Sequence, residues 1–126
     1  MRQLHRSPNQ RLMIAEINYG YKPNLIILDG VDAFVDGGPS QGKKVAGNVF
    51  IAGTNRVAVD ATGLAVLKQL GSNSAIMNTK IFEQEQIKRA VELGLGIPGP
   101  GAIKFVVPDG ESRAYAETLK KILAQG

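Results

Sequence analysis

Apolar residues form two short, uninterrupted runs in the first half of the chain. Residues 25–28 read Leu-Ile-Ile-Leu and are followed by Asp29-Gly30, and residues 49–52 read Val-Phe-Ile-Ala and are followed by Gly53. Runs of this length that end at glycine are typical of strands covered on both faces. A third strand is predicted at residues 103–107, after a stretch rich in glycine and proline.

Four other segments have apolar residues at helical spacing. The segment at about residues 57–70 is apolar nearly all round, which predicts a central, buried helix. The others are an N-terminal helix, a helix at about residues 82–93 and a C-terminal helix. The predicted N-terminal helix is capped by Ser7 and ends at Gly20, and the central helix is capped by Thr54 or Asn55 and ends at Gly71. The third helix is preceded by Asn78 or Thr79 and ends at Gly94, and the last helix is capped by Asp109 or Ser112.

The order of elements is therefore helix, strand, strand, helix, helix, strand, helix. This order predicts an α/β fold, with a small mixed or parallel sheet of about three strands flanked by helices. Residues 31–47 show no clear periodicity and are predicted as a loop. No repeat or linker divides the chain, so residues 1–126 are expected to form a single domain.

The charge of the chain is concentrated at its beginning. The chain has 126 residues, of which 15 are basic and 11 acidic, giving a formal net charge of +4 at pH 7. Arg2, Arg6 and Arg11 lie in the first eleven residues, which contain no acid, so residues 1–11 form a basic arm on a nearly neutral domain. Three arginines without interleaved aromatic residues are a small basic footprint, which disfavours nucleic acid as a partner.

The composition excludes several kinds of chemistry. The chain has no cysteine, so it cannot ligate an iron–sulfur cluster, form a disulfide or use a thiol nucleophile. Its one histidine, His5, has no sequence partner for a metal site or a catalytic triad. No apolar run reaches the roughly 20 residues that a membrane-spanning helix needs. These features predict a cytoplasmic protein without a membrane partner.

One glycine-rich segment has part of the spacing of a nucleotide-binding P-loop. Gly37 is followed after four residues by Gly42-Lys43, but Lys44 stands where a P-loop has serine or threonine. A strand does not directly precede Gly37 and a helix does not follow, so nucleotide triphosphate hydrolysis is rejected. Two interpretations stay open: the loop backbone and its lysines hold an anion, or they form an ordinary solvated turn.

Acidic residues provide the other candidate site. Asp29 follows the first predicted strand, and the Gly53-Thr54-Asn55 turn follows the second. Ligands of open α/β sheets bind beyond the carboxyl ends of strands, so these positions could meet in one crevice. Asp60 stands in the apolar helix, where a charge needs a partner or a shifted pKa. The alternatives are an Asx turn at Asp29, solvated loop carboxylates at Asp32 and Asp36, and a first-turn carboxylate bonded to backbone N–H groups at Asp60.

Several stretches resemble the domain-of-unknown-function 362 family. They are residues 22–34 with Gly37-Gly38-Pro39 (KPNLIILDGVDAF, then GGP), residues 52–61 (AGTNRVAVDA), and residues 82–87 and 90–96 (FEQEQI and AVELGLG). The resemblance covers about residues 5–107 and is to the C-terminal half of the family's domain. It implies an α/β architecture and an iron–sulfur setting, because many members carry a fused ferredoxin-type module. The positions that the resemblance shares are Asp29, Gly37, Gly38, Pro39, Gly53, Thr54 and Asp60.

Three functional hypotheses follow from the residues and the resemblance together. The first is binding of a small anionic or metal-chelated ligand at the carboxyl ends of the strands, in a redox-linked system; its candidate residues are Asp29, Gly37, Gly38, Gly53, Thr54 and Asp60. The second is an interaction subunit, either a homo-oligomer or the complement of a partner that supplies the N-terminal half of the domain. The third is an enzyme with an aspartate general base. The sequence assigns no cofactor and no metal ligand.

Overall fold

A long antiparallel β-hairpin dominates the first half of the fold. The computed structural model describes residue 4, residues 7–38 and residues 40–126. Strand β1 spans Ile26–Gly37 and strand β2 spans Gly42–Gly53. Ile26 lies opposite Gly53 at one end of the hairpin, and Gly37 lies opposite Gly42 at the other. The carboxyl end of β2 therefore lies beside the amino end of β1.

The hairpin changes the predicted sheet in two respects. The described residues form one sheet of two antiparallel strands, so the predicted mixed or parallel sheet of about three strands is wrong. Residues 31–47, predicted as a loop, belong to the two strands and their turn. The period-2 pattern is hidden there because the register shifts at two places, between Gly30 and Asp32 and between Phe34 and Asp36.

The structure contains helices at all four predicted places, so the apolar pattern predicts the helices better than the strands. Among the described residues the helices are α1 Gln10–Ile17, α2 Arg56–Leu70, α3 Ser74–Met77, α4 Glu85–Glu92 and α5 Gly110–Gln125, with single 3₁₀ turns at Asn18–Gly20, Ile81–Glu83 and Pro100–Ala102. Asn55 caps α2, Gly71 ends it with a φ of 77°, and Asp109 caps α5. The short helix α3 was not predicted, and α1 begins at Gln10 rather than beside Ser7.

Helix α2 is the centre of the structure, as its apolar sequence predicts. Six of its residues are buried: Val57, Val59, Ala61, Thr62, Ala65 and Val66. It packs against both strands and against α5. One core cluster joins α2, Ile81 and α5, and a second joins Val57 to Ala15 of α1 and to Ile87 and Ala90 of α4. The helices α1, α4 and α5 are therefore held through α2.

The face of the hairpin that points away from α2 is uncovered. Leu28 and Ile51 point towards the helix and are partly buried, whereas their neighbours Ile27 and Phe50 are 55% and 64% exposed. Leu25, just before β1, is 60% exposed. The prediction that the apolar run at residues 25–28 is covered on both faces is thus not met within this chain. We call Leu25, Ile27 and Phe50 the outer face.

The segment at residues 103–107 is extended but is not a strand of the sheet. Ile103 and Phe105 pack against the core cluster around α2 and α5, while Lys104 between them is exposed and Val106, the next residue, is 95% exposed. The alternation of apolar and exposed residues is therefore present without a hydrogen-bonded neighbour. The third predicted strand is wrong for this reason: the side chains alternate, but no strand lies beside them in the described chain.

None of the described helices is both long enough and apolar enough to span a bilayer.

Candidate functional site

Two recesses border Asp60 in the described part of the chain, and the larger of them lies between β1, α2 and the start of α4. It has a volume of about 480 Å³, within the range of small-ligand sites. Apolar residues of β1 and α2 form most of its wall. Its polar and charged lining residues are Arg11, Asp29, Asp32, Asp60, Gln84 and Gln86.

A second recess of about 300 Å³ lies between α1, α4 and the amino end of α2. It is mostly apolar, and its polar residues include Asn18, Tyr21 and Arg56. Asp60, Gln86 and Ile87 line both recesses. The Asp60 and Gln86 side chains therefore stand on the wall between the two.

Asp60 differs from its predicted setting on a buried helix face. Water reaches its side chain, which is exposed, because the residue opens onto the two recesses. Protein atoms nevertheless surround the carboxylate at short range, and this partial desolvation raises its pKa, while the nearby Gln86 side chain opposes the shift. It is the fifth residue of α2, beyond the free N–H groups of the first turn. Among the described residues, no cation forms an ion pair with it.

Asp29 lies within β1 rather than at the end of a strand. One of its carboxylate oxygens accepts the backbone N–H of Val31 at 3.0 Å, so the Asx-type turn foreseen as the alternative is present. Val31 sits where the register shifts, and this bond satisfies an N–H group that the irregular ladder leaves free. Asp29 borders the larger recess, as Asp60 does. Its direct partner across the hairpin is Phe50, so the Asp29 side chain lies on the outer-face side of the sheet and not beside Asp60.

The third acid of this recess already has a partner. Asp32 forms an ion pair with Lys44 across the hairpin, with 2.7 Å between the Lys44 Nζ and an Asp32 oxygen. Both side chains are about half exposed, so this pair adds little to stability. It does lower the net negative charge at that end of the recess. Asp60 then carries the negative charge of the recess that has no ion-pair partner among the described residues.

Helix α1 is fastened to α2 by Arg56. Its guanidinium donates hydrogen bonds to the carbonyl oxygens of Asn18 and Tyr21, the latter at 2.7 Å, and lies 5.6 Å from the centre of the Tyr21 ring. Although Arg56 and Asp60 are separated by one helical turn, they do not form an ion pair. Arg56 is therefore occupied in positioning α1, and it leaves Asp60 free.

Gln84 supports the floor of the larger recess. Its side chain is 8% exposed, and its Nε2 donates to the carbonyl oxygens of Ala75 at 3.2 Å and Ile76 at 3.5 Å. These bonds tie the beginning of α4 to helix α3. The tie fixes Gln86, two residues later, relative to Asp60 on α2.

The predicted glycine positions lie elsewhere. Gly37 and Gly38 form the turn of the hairpin with φ values of 73° and 90°, a conformation that favours glycine. The N–H of Gly38 bonds to the Gln41 carbonyl oxygen, so it is not free to hold an anion. Gly53 and Thr54 lie at the opposite end, roughly 35 Å away at about 3.3 Å per residue. None of these four residues lines either recess.

Gly53 and Thr54 lie where the end of β2 passes close to the start of α2. A Cβ atom on Gly53 would lie 2.8 Å from a methyl carbon of Val59, so only glycine fits there without a shift. Thr54 is exposed and precedes the Asn55 cap. Of the predicted site residues, Asp29 and Asp60 border the same recess, but the Asp29 side chain lies on the outer-face side of β1. Pro39, His5, Arg2 and Arg6 lie outside the described residues.

A metal centre is not indicated by the described part of the chain, where no group of three or more histidine, cysteine or carboxylate side chains is arranged to hold an ion. Two lining residues were missed by the sequence reasoning. Gln84 and Gln86 flank the start of an amphipathic helix, where glutamine carries no distinctive signal. Arg11 was assigned to the basic arm, and nothing in its spacing connects it with the recess.

Comparison with known families gives one result. The model of the family described as "Domain of unknown function (DUF362)" matches residues 1–65, which is just over half of the chain. The chain belongs to the DUF362 family. No curated protein and no solved structure matches it.

The DUF362 match covers part of the candidate site. It includes α1, the whole hairpin and α2 as far as residue 65, and therefore contains Arg11, Asp29 and Asp60. The predicted resemblance over about residues 5–107 is thus supported only as far as residue 65, and residues 66–107 lie outside the match. Gln84 and Gln86 are among them. The recess is thus built from the matched DUF362 part together with residues that follow it.

Proposed function

We propose that this DUF362 chain is a ligand-binding domain and that its ligand lies in the larger recess with a positive charge facing Asp60. The observation that carries the proposal is the Asp60 carboxylate, which lines a concave, water-accessible recess without a described ion-pair partner. Leaving a charge in a partly desolvated site is unfavourable unless something binds it. A cationic group on a ligand would provide that partner.

The unpaired Asp60 carboxylate favours such a ligand over a bare anion. Of the other charged side chains at the recess, Asp32 is paired with Lys44, and Arg11 is the basic one among the described lining residues. The positive charge can belong to the ligand or to a metal ion that the ligand chelates, which is the metal-chelated form predicted from the sequence. A free anion, the other predicted form, would be held by Arg11 alone. A redox-linked role that uses an iron–sulfur cluster would need cysteine ligands from outside these 126 residues, which contain none.

Binding can be tested by following backbone amide resonances of the labelled chain during titration with three probes. The probes are methylguanidinium, magnesium citrate and citrate alone, which present a cation, a chelated metal and a free anion. We expect methylguanidinium or magnesium citrate to shift resonances around Asp60 and Gln86. Asp60→Asn should abolish these shifts, while Asp36→Asn, an exposed change outside the recess, should leave them unchanged. The proposal is wrong if no probe shifts the recess or if Asp60→Asn binds as well as the wild type.

An enzyme that uses Asp60 as a general base is a stricter version of the same proposal. A raised pKa makes a carboxylate a better base near neutral pH, and Asp60 has this property. Asp29 is less suited, because one oxygen already accepts the Val31 N–H group. Turnover of a ligand found by titration would be required, and its complete loss in Asp60→Asn would support the assignment.

The outer face favours a second candidate function, that of an interaction subunit. Ile27 and Phe50 are diagonal neighbours on the two strands, since Ile27 pairs with Ala52 and Asp29 with Phe50, and both are more than half exposed. An exposed apolar patch of this kind marks a contact surface. We propose that it contacts a subunit that supplies the N-terminal half of the family's domain, which requires this chain to correspond to the C-terminal half.

Light scattering after gel filtration separates the forms of this second candidate. A homo-oligomer should dissociate in the double variant Ile27→Thr, Phe50→Thr. A partner subunit encoded nearby should instead co-purify with the wild-type chain and be lost with the same variant. A wild-type chain that stays monomeric at high concentration and retains no partner would contradict this candidate, without affecting the ligand proposal.

A further inference from the structure

The larger recess runs along the edge of β1 that faces away from β2. Successive residues of a strand point to opposite faces, so a cavity against one face touches every second residue. This recess is lined by six residues of β1: Leu28, Asp29, Gly30, Asp32, Ala33 and Phe34. No residue of β2 lines it. Consecutive residues of β1 line the recess and residues of β2 do not, so the recess borders the edge of β1 that β2 leaves free; the register shift between Gly30 and Asp32 contributes to the broken alternation.

The backbone along this edge has open hydrogen-bonding positions. Within the described part of the chain, the sheet has two strands, so β1 has a strand neighbour on one side only. Beyond the recess the edge is already used, because the Val35 carbonyl oxygen accepts the Asn73 N–H at 3.0 Å and the Ser72 hydroxyl at 2.7 Å. Between residues 28 and 34, the described bonds away from β2 are limited to the Val31 N–H, which Asp29 satisfies.

The dimensions and charges of the edge fit an extended peptide. Residues 28–34 span roughly 20 Å, at about 3.3 Å per residue, which matches a partner strand of five or six residues. Asp60 on α2 lines the recess beside this edge and has no ion-pair partner among the described residues. Asp32 is already paired with Lys44, and Arg11 is the basic residue among the described lining residues. A lysine or arginine side chain of an added strand would therefore meet an unpaired carboxylate at Asp60.

We infer that the ligand of the larger recess is an extended basic peptide segment, which adds to the free edge of β1 as a third strand. Main-chain hydrogen bonds to residues 28–34 would supply the affinity, and a basic side chain facing Asp60 would supply the selectivity. This inference rests on the proposed function, and it names the class of ligand. The added strand would also cover the open edge of β1. Strand edges that stay exposed tend to pair with other chains and cause aggregation.

Peptides of six residues test both parts of the inference on the full chain. The parent probe alternates valine and lysine and is blocked at both ends; a second probe has glutamate in place of lysine. Two further probes carry N-methyl groups on the odd or on the even residues, so that one of them cannot donate to β1 while the other still can. Affinity is measured by titration, and backbone amide hydrogen exchange shows which protein groups become protected.

We expect the lysine peptide to bind at least about tenfold more tightly than the glutamate peptide. One of the two N-methylated probes should lose at least about tenfold in affinity, and the other should bind like the parent. Amide exchange should slow within residues 28–34 and stay unchanged in β2. Asp60→Asn should weaken the lysine peptide about two- to fivefold, as expected for a partly exposed ion pair, while Asp36→Asn should not.

Failure of the inference is distinguishable from failure of the proposed function. If methylguanidinium shifts the resonances around Asp60 but both N-methylated probes bind like the parent, the ligand is a small cation and the strand addition is wrong. Equal binding of the lysine and glutamate peptides would overturn the charge selectivity. If neither methylguanidinium nor any peptide binds, both proposals fail. A spectrum of Asp60→Asn that matches the wild type away from the recess ensures that lost binding is not lost folding.

Discussion

The side-chain oxygen of Asn55 accepts the backbone N–H of Ile97, which lies 42 residues later in the chain, at 3.4 Å. The same oxygen accepts the N–H of Ala58 at 3.0 Å and so caps α2. One amide group therefore fixes the start of the central helix and also holds the glycine- and proline-rich segment after α4 against it. This second bond gives Asn55 a larger part in stability than a local cap has.

Asn55→Ala should lower the free energy of unfolding by about 2 kcal/mol, because it removes the cap and leaves the Ile97 N–H without its partner. Asp109→Ala is a matched control, since Asp109 caps α5 through one local bond to the Ser112 N–H at 2.7 Å. Its cost should be about 1 kcal/mol. Urea denaturation of both variants measures the difference. Equal costs would show that the Ile97 bond contributes nothing.

The close approach at this point predicts that glycine is required at residue 96. A Cβ atom there would lie 2.5 Å from the Asn55 side-chain oxygen and 2.7 Å from the Val57 Cβ. Gly96→Ala should therefore destabilise the fold by about 1 to 3 kcal/mol, through overpacking against a helix that cannot shift easily. Thermal unfolding followed by circular dichroism provides the measurement.

Gly99→Ala, three residues further on in the same segment, is the control. A Cβ atom there would meet nothing within 4 Å, and the Gly99 backbone is extended, with φ at −174°. We expect this change to be neutral or to stabilise the chain by up to about 1 kcal/mol, because it restricts the unfolded chain. Similar destabilisation by both substitutions would mean that the segment is not packed against Asn55 and Val57 as described.

Asp60 predicts a pH-dependent stability with a definite sign. Its pKa is raised by desolvation, so the folded chain binds this proton more tightly than the unfolded chain does. Asp60 therefore contributes fully to stability at pH values below the pKa of an unperturbed aspartate, about 3.9, and this contribution is lost as the pH rises through the raised pKa of the folded chain. Asp60→Asn should raise the melting temperature at pH 7 by less than about 4 °C, and the gain should vanish near pH 3.5.

Asp109 provides a control of opposite sign. Hydrogen bonding from Ser112 lowers the pKa of Asp109, so its contribution is present at neutral pH and is lost as the pH falls through the lowered value. Asp109→Asn should slightly lower the melting temperature at pH 7 and have no effect in strong acid. Two variants that respond to pH in the same direction would contradict the opposite environments of these carboxylates.

The helices could be predicted from the sequence because their signals are local. The apolar positions of α2, its Asn55 cap and its Gly71 stop all lie within one segment, and the structure confirms them. The hairpin could not, because the strand signal is carried by alternation and the register shifts twice in β1. Asn48, with a φ of 49°, marks the matching irregularity in β2. Alternation at residues 103–107 correctly indicated extended backbone, but it contains no information about whether a neighbouring strand exists.

The candidate site was partly predictable for a similar reason. Asp60 was identified because an acid in an apolar helix is locally anomalous, and it does line both recesses. Gln86 faces it from a different helix, and such a pairing depends on how α2 and α4 pack. Gly53 and Thr54 were grouped with Asp29 because the ends of parallel strands would meet, but in the antiparallel hairpin Gly53 lies opposite Ile26 and Asp29 lies within β1. Gly37 and Gly38, which the family resemblance and the anion-loop interpretation suggested, form the turn at the other end of the hairpin.

The outer face yields the last prediction, which uses two adjacent residues of β2 that point in opposite directions. Phe50 is 64% exposed, whereas Ile51 packs against the core cluster around α2. Threonine retains a high preference for strands, so both substitutions test side-chain burial rather than backbone preference. In dilute solution Phe50→Thr should change the free energy of unfolding by no more than about 0.5 kcal/mol. Ile51→Thr should cost about 2 kcal/mol, because it removes apolar area and buries a hydroxyl.

Urea denaturation at several protein concentrations measures both effects and detects association through the outer face. If that face is covered by a second copy of this chain, wild-type stability should rise with concentration, and Phe50→Thr should remove this dependence. Ile51→Thr should retain the dependence, because its side chain lies on the α2 side of the hairpin. A large cost for Phe50→Thr at the lowest concentration would contradict the exposure of Phe50 and place an element of this chain over the outer face.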